Sequence, residues 1–254
     1  MNAVLKYPGA KNRLAPWICE YIPEHKVYCE LFFGSGAVLF NKVPAKIETV
    51  NDLDDNVTNY FQVIRNSPEE LIRRIELTPY GRTDYDKAFL ENLSDDEIEK
   101  ARKFAVRCWM GFGCSNRYKN GFRSSQQSNS PNTTRAWDSF PEILRFASER
   151  LKQVQIENLD ALELICRYDT EDVFIYADPP YLHGTRKNYL YRHEMSDIQH
   201  MDLLDRLKNH PGKVLLSGYD NELYNKALKS WNKVQKHTQA EGGLKREEIL
   251  WMNY

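Results

Sequence analysis

The run Val173-Phe-Ile-Tyr-Ala177 is apolar at five successive positions and stops at Asp178-Pro179-Pro180-Tyr181. A strand without polar alternation must be covered on both faces, the condition of a parallel sheet between helix layers. The two prolines then end the ladder, because each lacks an N–H and holds φ at about −65°. That turn falls at the carboxyl end of its strand, where open α/β sheets bind ligands.

The flanking sequence repeats the same alternation. Leu14, Trp17, Ile18, Tyr21 and Ile22 share one helix face, with Pro23 near its end. Residues 27–33 are β-prone and lead into Gly34-Ser35-Gly36, with a helix expected over Ala37–Phe40. Residues 47–50 form a second β-prone run that stops at Asn51-Asp52, and Val57, Tyr60, Phe61 and Ile64 mark the next helix. After residue 150 come a strand at 154–157, a helix at 160–168 and the strand at 173–177. A helix capped by Ser196 is expected to carry Ile198, Met201, Leu204 and Leu207. A strand at 213–217, a helix at 221–230 and β-prone runs around Val234 and 248–252 close the chain. This order predicts an open, mostly parallel α/β sheet, and 254 residues with 41% hydrophobic side chains suffice for its core plus an insertion.

Residues 67–150 interrupt that alternation. Helical patterns dominate there (Leu71, Ile72, Ile75; then Ile98, Ala101, Ala105, Trp109; then Phe140, Leu144, Ala147, Leu151), around a long polar stretch at 111–134. Arg102, Lys103, Arg107, Arg117, Lys119, Arg123 and Arg135 fall in a segment containing no Asp or Glu. The whole-chain balance of 35 basic against 36 acidic residues hides this basic block. It excludes a polybasic coat, but not a local nucleic-acid surface. No apolar run approaches the roughly 20 residues of a membrane span. The N-terminus MNAVLKYPGAKNRL lacks the apolar core of an export signal, so a cytoplasmic chain is expected. Cys19, Cys29, Cys108, Cys114 and Cys166 read as reduced core thiols, and neither they nor the His residues have zinc-ligand spacing, so no metal is expected.

Three motifs could carry chemistry. Asp178-Pro-Pro-Tyr181 offers a carboxylate, stiffened carbonyls and an aromatic ring within four residues, a set suited to a planar base with an exocyclic amine; a plain strand-to-loop turn would use the same letters. Glu30-Leu-Phe-Phe-Gly-Ser-Gly36 lets a ligand approach the backbone, although Leu39 stands where a dinucleotide fingerprint needs its third glycine. Asp52, at the end of the next strand, can accept from ribose hydroxyls. Lys6-Tyr-Pro-Gly-Ala-Lys11 is a rigid loop before the first helix.

In this order the motifs resemble those of the Dam (D12) class of DNA adenine-N6 methyltransferases, across almost the whole chain. Ala10 departs from the glycine common in the family's N-terminal loop. Ser217-Gly-Tyr-Asp220 and residues 248–254 also look like the family's later strands. The resemblance implies a Rossmann-like S-adenosylmethionine-dependent methyltransferase fold, with 1–66 and 151–254 as catalytic domain and 67–150 as a mostly helical target-recognition domain. It implies that S-adenosylmethionine is held by Tyr7, Pro8, Gly9, Lys11, Glu30, Phe33, Gly34, Gly36, Asp52, Leu53, Asp160 and Asp178. Asp178, Pro179, Pro180 and Tyr181 would be catalytic, Asp178 and the Pro179 carbonyl accepting from N6 of an extruded adenine on which Tyr181 stacks. Double-stranded DNA would meet Arg117, Lys119, Asn120, Arg123, Arg186 and Lys187. A bacterial or phage-infected cytoplasm and a monomer suit the family. A cytosine-N4 or RNA adenine methyltransferase, a silent DNA-binding relative and, less well, a nicotinamide dehydrogenase remain open at this point.

Overall fold

The computed structural model describes residues 3–90, 96–113, 118–182, 190–239 and 245–254. Its centre is a seven-stranded sheet in the order β3-β2-β1-β4-β5-β7-β6. Strands β1 (Val27–Glu30), β2 (Ile47–Asn51), β3 (Val154–Glu157), β4 (Val173–Ala177) and β5 (Lys213–Tyr219) are parallel. Strand β7 (Lys245–Met252) enters antiparallel between β5 and the edge strand β6 (Asn232–Gln239). The chain works outward from β1 to β3 and then from β4 to the opposite edge. The order therefore reverses between β1 and β4, the switch point at which doubly wound sheets open a ligand crevice.

Strand periodicity sorts the core into two layers. Tyr28, Phe174, Tyr176, Leu215, Leu250 and Met252 pack on one face. Their neighbours Cys29, Ile175, Val214, Leu216, Ile249 and Trp251 pack on the other. The second layer is covered by α8 (Ala161–Arg167), α9 (Asp197–Asn209) and α10 (Glu222–Ala227). Ser196 caps α9 in a capping box with Gln199. The buried stripe of α9 is His200, Leu203, Leu204 and Leu207, while Ile198 and Met201 are exposed, so the expected face is rotated. The reason is His200: it reads as polar, yet Nδ1 pairs with the Tyr224 hydroxyl at 2.8 Å and the ring is buried.

The first layer carries α1 (Ala15–Glu20) and α2 (Asp55–Asn66), and its core runs on into the inserted helices α3 (Pro68–Glu76), α4 (Arg82–Lys87), α5 (Glu97–Met110), α6 (Thr133–Asp138) and α7 (Phe140–Leu151). Tyr60 and Phe61 of α2 thus share one apolar layer with Phe104, Trp109, Trp137 and Phe140. Trp109 and Phe140 have ring centroids 4.3 Å apart, and the Trp137 indole donates to the Thr78 carbonyl at 2.9 Å.

One expected helix is absent. Ala37–Phe40 forms turns, and β1 connects to β2 without a regular helix. Gly34 and Gly36 hold φ of 47° and 69°, outside the right-handed region. The Asn41 side chain then donates to the Ala37 carbonyl at 2.8 Å, taking the acceptor that a continuing helix would use. Cys166 is exposed rather than a core thiol, because it lies on the outer side of α8. Among the described residues no helix is long and apolar enough to cross a membrane.

Candidate active site

A crevice opens at the carboxyl ends of β1, β2, β3 and β4. It holds about 1120 Å3 of empty space, open solvent included. Its geometry begins with Asn51, which the sequence analysis noted only as a strand end. Nδ2 of Asn51 donates to the carbonyls of Leu31 and Leu159, each at 3.0 Å, and Oδ1 accepts from the Leu159 N–H at 2.9 Å. One buried amide thereby staples the loops after β1, β2 and β3.

Asp52 lies on that staple. Its Oδ2 accepts from the Gly34 N–H at 2.7 Å and its Oδ1 from the Asp54 N–H at 2.9 Å. Burial pushes the carboxyl up to about 7, against the pull of those two N–H groups. Glu30, at the end of β1, is pushed up to about 8, foremost by burial and also by Asp178, while the Tyr28 hydroxyl at 2.8 Å opposes the shift. Asp160 caps α8 through the Leu162 N–H at 2.8 Å and lines the same crevice from its exposed side. Tyr7, Pro8, Gly9 and Lys11 close one wall, and Phe33, Gly34 and Leu53 form another. Gly36 is not part of the lining; a Cβ there would lie 2.7 Å from the Phe33 and Phe40 rings, so it serves the turn.

Asp178 and Pro180 line the crevice, while Pro179 and Tyr181 pack behind it. Alternation explains the aim of Asp178, which follows Phe174 and Tyr176 on one face of the sheet, the face that Glu30, Ser217 and Glu248 also take. Its two oxygens are engaged. Oδ1 accepts from the Ser217 hydroxyl at 2.8 Å and Oδ2 from Lys11 Nζ at 2.7 Å. Lys11 also donates to the Gly9 carbonyl at 3.1 Å and lies 3.7 Å from Glu248 Oε1. Burial disfavours the ammonium, yet Asp178 and Glu248 together hold its pKa above the ordinary lysine value. The Tyr181 hydroxyl donates to Glu248, the Lys11 ammonium stands 4.7 Å from the Tyr181 ring centroid, and Tyr219 meets that ring edge-on at 4.3 Å.

Three contributors escaped the sequence reading. Ser217 and Glu248 come from strands 39 and 70 residues beyond Asp178. An acid on the buried face of β7, in phase with Leu250 and Met252, was the available signal for Glu248. Tyr191 lines the crevice beside Glu194 and Met195, and its hydroxyl lies where a Cβ on Gly9 would stand. Arg192 next to it pairs with Asp54 and Asp55. Those two acids and His193 bring potential metal-ligand atoms within 4.8 Å of one another, with Arg192 on both acids.

Of the expected DNA-facing residues, Lys119, Asn120 and Arg123 are not among those lining this crevice. Lys119 pairs with Asp86 at 2.7 Å, and the Asn120 carbonyl accepts from the Tyr85 hydroxyl at 2.8 Å. The Arg123 backbone is held from both sides, its N–H by Met110 and its carbonyl by Tyr80. Arg117, Arg186, Lys187 and Cys114 lie outside the described residues.

The model of the D12 class N6 adenine-specific DNA methyltransferases matches residues 7–241. The type II methyltransferase M1.LlaDCHI of Lactococcus lactis subsp. cremoris is 25% identical over 277 residues, covering 98% of this chain and 94% of its own length. The type II methyltransferase M.MjaIII of Methanocaldococcus jannaschii is 25% identical over 303 residues, with 98% of each chain covered. Modification methylase StsI of Streptococcus sanguinis is 23% identical over 91% of this chain, which spans 38% of its length.

Proposed function

The chain belongs to the D12 class N6 adenine-specific DNA methyltransferase family, and from that premise we propose that it transfers a methyl group from S-adenosylmethionine to N6 of an adenine extruded from double-stranded DNA. The observation that carries the reading is the sharing of one crevice by Asp178 and the Gly34–Asp52 pair.

The acceptor groups of the crevice fit the cofactor. Each Asp52 oxygen accepts one backbone N–H and keeps a lone pair for a ribose hydroxyl. Glu30 accepts from Tyr28 through Oε2, which leaves Oε1 for the ammonium of an amino acid moiety; a cation there would ionise a carboxyl that is otherwise half-neutral near pH 8. Asp160, which lines the crevice, would accept from an adenine amine, and Tyr7, Phe33 and Leu53 would supply apolar walls. When bound, the cofactor supplies a methyl group activated by a sulfonium.

Asp178 and the Pro179 carbonyl would accept hydrogen bonds from the two N6–H groups and so direct the nitrogen lone pair; as the N–C bond forms and the S–C bond breaks, one N6 proton would leave to Asp178 or to water. This work is positioning and electrostatics, and it requires no covalent bond to the protein. The base must leave the duplex, because pairing and stacking hide its amine. The inserted helices 67–150 would present Lys119, Asn120 and Arg123 to DNA, together with Arg117; Arg186 and Lys187 would add contacts after the catalytic motif.

The test is incubation with methyl-labelled S-adenosylmethionine and unmethylated duplex DNA, followed by mass spectrometry of the nucleosides. Labelled N6-methyladenine is expected. Labelled N4-methylcytosine, label on RNA only or no transfer would overturn the proposal.

A further inference from the structure

Both oxygens of the catalytic-motif acid already accept a hydrogen bond in this structure. Lys11 and Ser217 each donate to one oxygen of Asp178, so an incoming amine must share the carboxylate with them through a remaining lone pair. The aromatic partner of a flipped base is equally occupied, since the Lys11 ammonium stands over the Tyr181 ring. Lys11 is the group common to both places. Its ammonium is buried, so it cannot retreat into water. It needs another anionic partner, and the described residues place one within reach: Glu248 Oε1 at 3.7 Å. The same oxygen accepts from the Tyr181 hydroxyl.

Resting on the proposed methyl transfer, we infer that Glu248 is a positioning residue of the reaction. It fixes the Tyr181 ring through the hydroxyl and receives the Lys11 ammonium when an exocyclic amine takes its place on Asp178. Glu248 does not line the crevice and so has no direct contact with the cofactor groups there. Its placement is determined by the sheet. Glu248 pairs across from Tyr219 in the β5–β7 ladder, two positions beyond the Ser217–Leu250 pair, and projects from the same face as Ser217. The cluster thus holds two carboxylates, Asp178 and Glu248, for one ammonium. Such a site lets the cation shift between partners without leaving a buried charge unpaired, whereas a single carboxylate would force Lys11 to compete with the substrate amine. Burial and the neighbouring Asp178 raise the Glu248 pKa, and Lys11 counters them, as expected of an acid that depends on this cation to stay ionised.

The test combines kinetics with a readout that does not depend on DNA. Glu248→Gln keeps an acceptor for Tyr181 but removes the charge that would receive Lys11. The expected result is a kcat lowered about tenfold or more, since a misplacement of about 1 Å can cost on the order of 100-fold, with the KM for S-adenosylmethionine within about twofold of the wild-type value. In a Lys11→Met background the same change should have no further effect on kcat, because its route of action is gone. Hydrogen exchange of the Lys11 ammonium, followed by NMR on labelled lysine, should quicken in Glu248→Gln. A wild-type kcat in a folded Glu248→Gln enzyme overturns the inference, and so does an equal loss with and without Lys11, or unchanged ammonium exchange. If the wild-type protein methylates no DNA base, the functional reading falls; the exchange measurement still decides whether Glu248 holds Lys11.

Discussion

Replacing Asp178 by asparagine isolates the charge of the catalytic motif at constant size. In the native site Oδ1 accepts from Ser217 at 2.8 Å and Oδ2 from Lys11 at 2.7 Å. An amide can keep both contacts by donating Nδ2 to the Ser217 oxygen and offering its carbonyl to Lys11. Lys11 retains Glu248 at 3.7 Å, so the stability loss should fall below the roughly 3–5 kcal/mol of a buried pair broken outright. Catalysis has no such reserve. The remaining oxygen, already accepting from Lys11, carries less charge than a carboxylate oxygen, and the amide nitrogen cannot accept from an amine. Loss of one preorganised electrostatic group costs about 2.7–4 kcal/mol of barrier, or roughly 100- to 1,000-fold in kcat. Asp178→Ala should lose at least about 100-fold as well, with the larger stability cost because no acceptor remains at that position. The assay is single-turnover transfer of labelled methyl to DNA at saturating cofactor, with urea unfolding alongside. A folded Asp178→Asn enzyme that transfers at the wild-type rate would refute the role assigned to this carboxylate.

Gly9 holds a φ of 69°, and a Cβ there would lie 2.2 Å from the Tyr191 hydroxyl. Gly9→Ala should cost about 1–2 kcal/mol in backbone strain alone and raise the cofactor KM by displacing Tyr191; unchanged values in both would contradict the packing. Glu30 has its pKa raised from 4.5 to about 8, so the native state holds a proton that the unfolded chain has released. Wild-type stability should therefore fall as pH rises through that window, while Glu30→Gln should fall less steeply, Asp52 and Glu248 still contributing, and should be the more stable protein above pH 8 by an amount on the order of a few kcal/mol. Parallel pH profiles from chemical unfolding at pH 4 to 9 would count against this. DNA affinity should fall with salt at a log–log slope of about −0.9 per phosphate neutralised. Asp86→Asn, which frees Lys119 from its 2.7 Å partner, should tighten DNA binding; a flat salt response would remove the DNA-facing role of this segment.

The elements that repeat a period were legible from residues alone. Val173–Ala177 ends where its prolines demand, and Ser196 caps the helix it precedes. The crevice was legible through its glycine turn and Asp52, whose partnership with the Gly34 N–H is made between neighbouring strand ends. What stayed hidden depends on pairings that no local pattern records. Asn41 ends a helix that propensity favours, His200 rotates the buried face of α9, and Ser217 and Glu248 reach Asp178 and Tyr181 only because the sheet brings distant strands into register. Exposure of Ile198 and Met201 follows from the same cause, since a paired histidine can occupy a core that its letter argues against.

The most direct measurement is a crystal structure of the protein with a non-reactive analogue of S-adenosylmethionine and a duplex it methylates. The account places an adenine outside the helix, with N6 at hydrogen-bond distance, about 2.7–3.2 Å, from Asp178 and from the Pro179 carbonyl. The analogue should lie along Glu30, Gly34 and Asp52. An adenine still stacked in the duplex, or an extruded base whose amine lies away from Asp178 while Lys11 keeps its place, would contradict it.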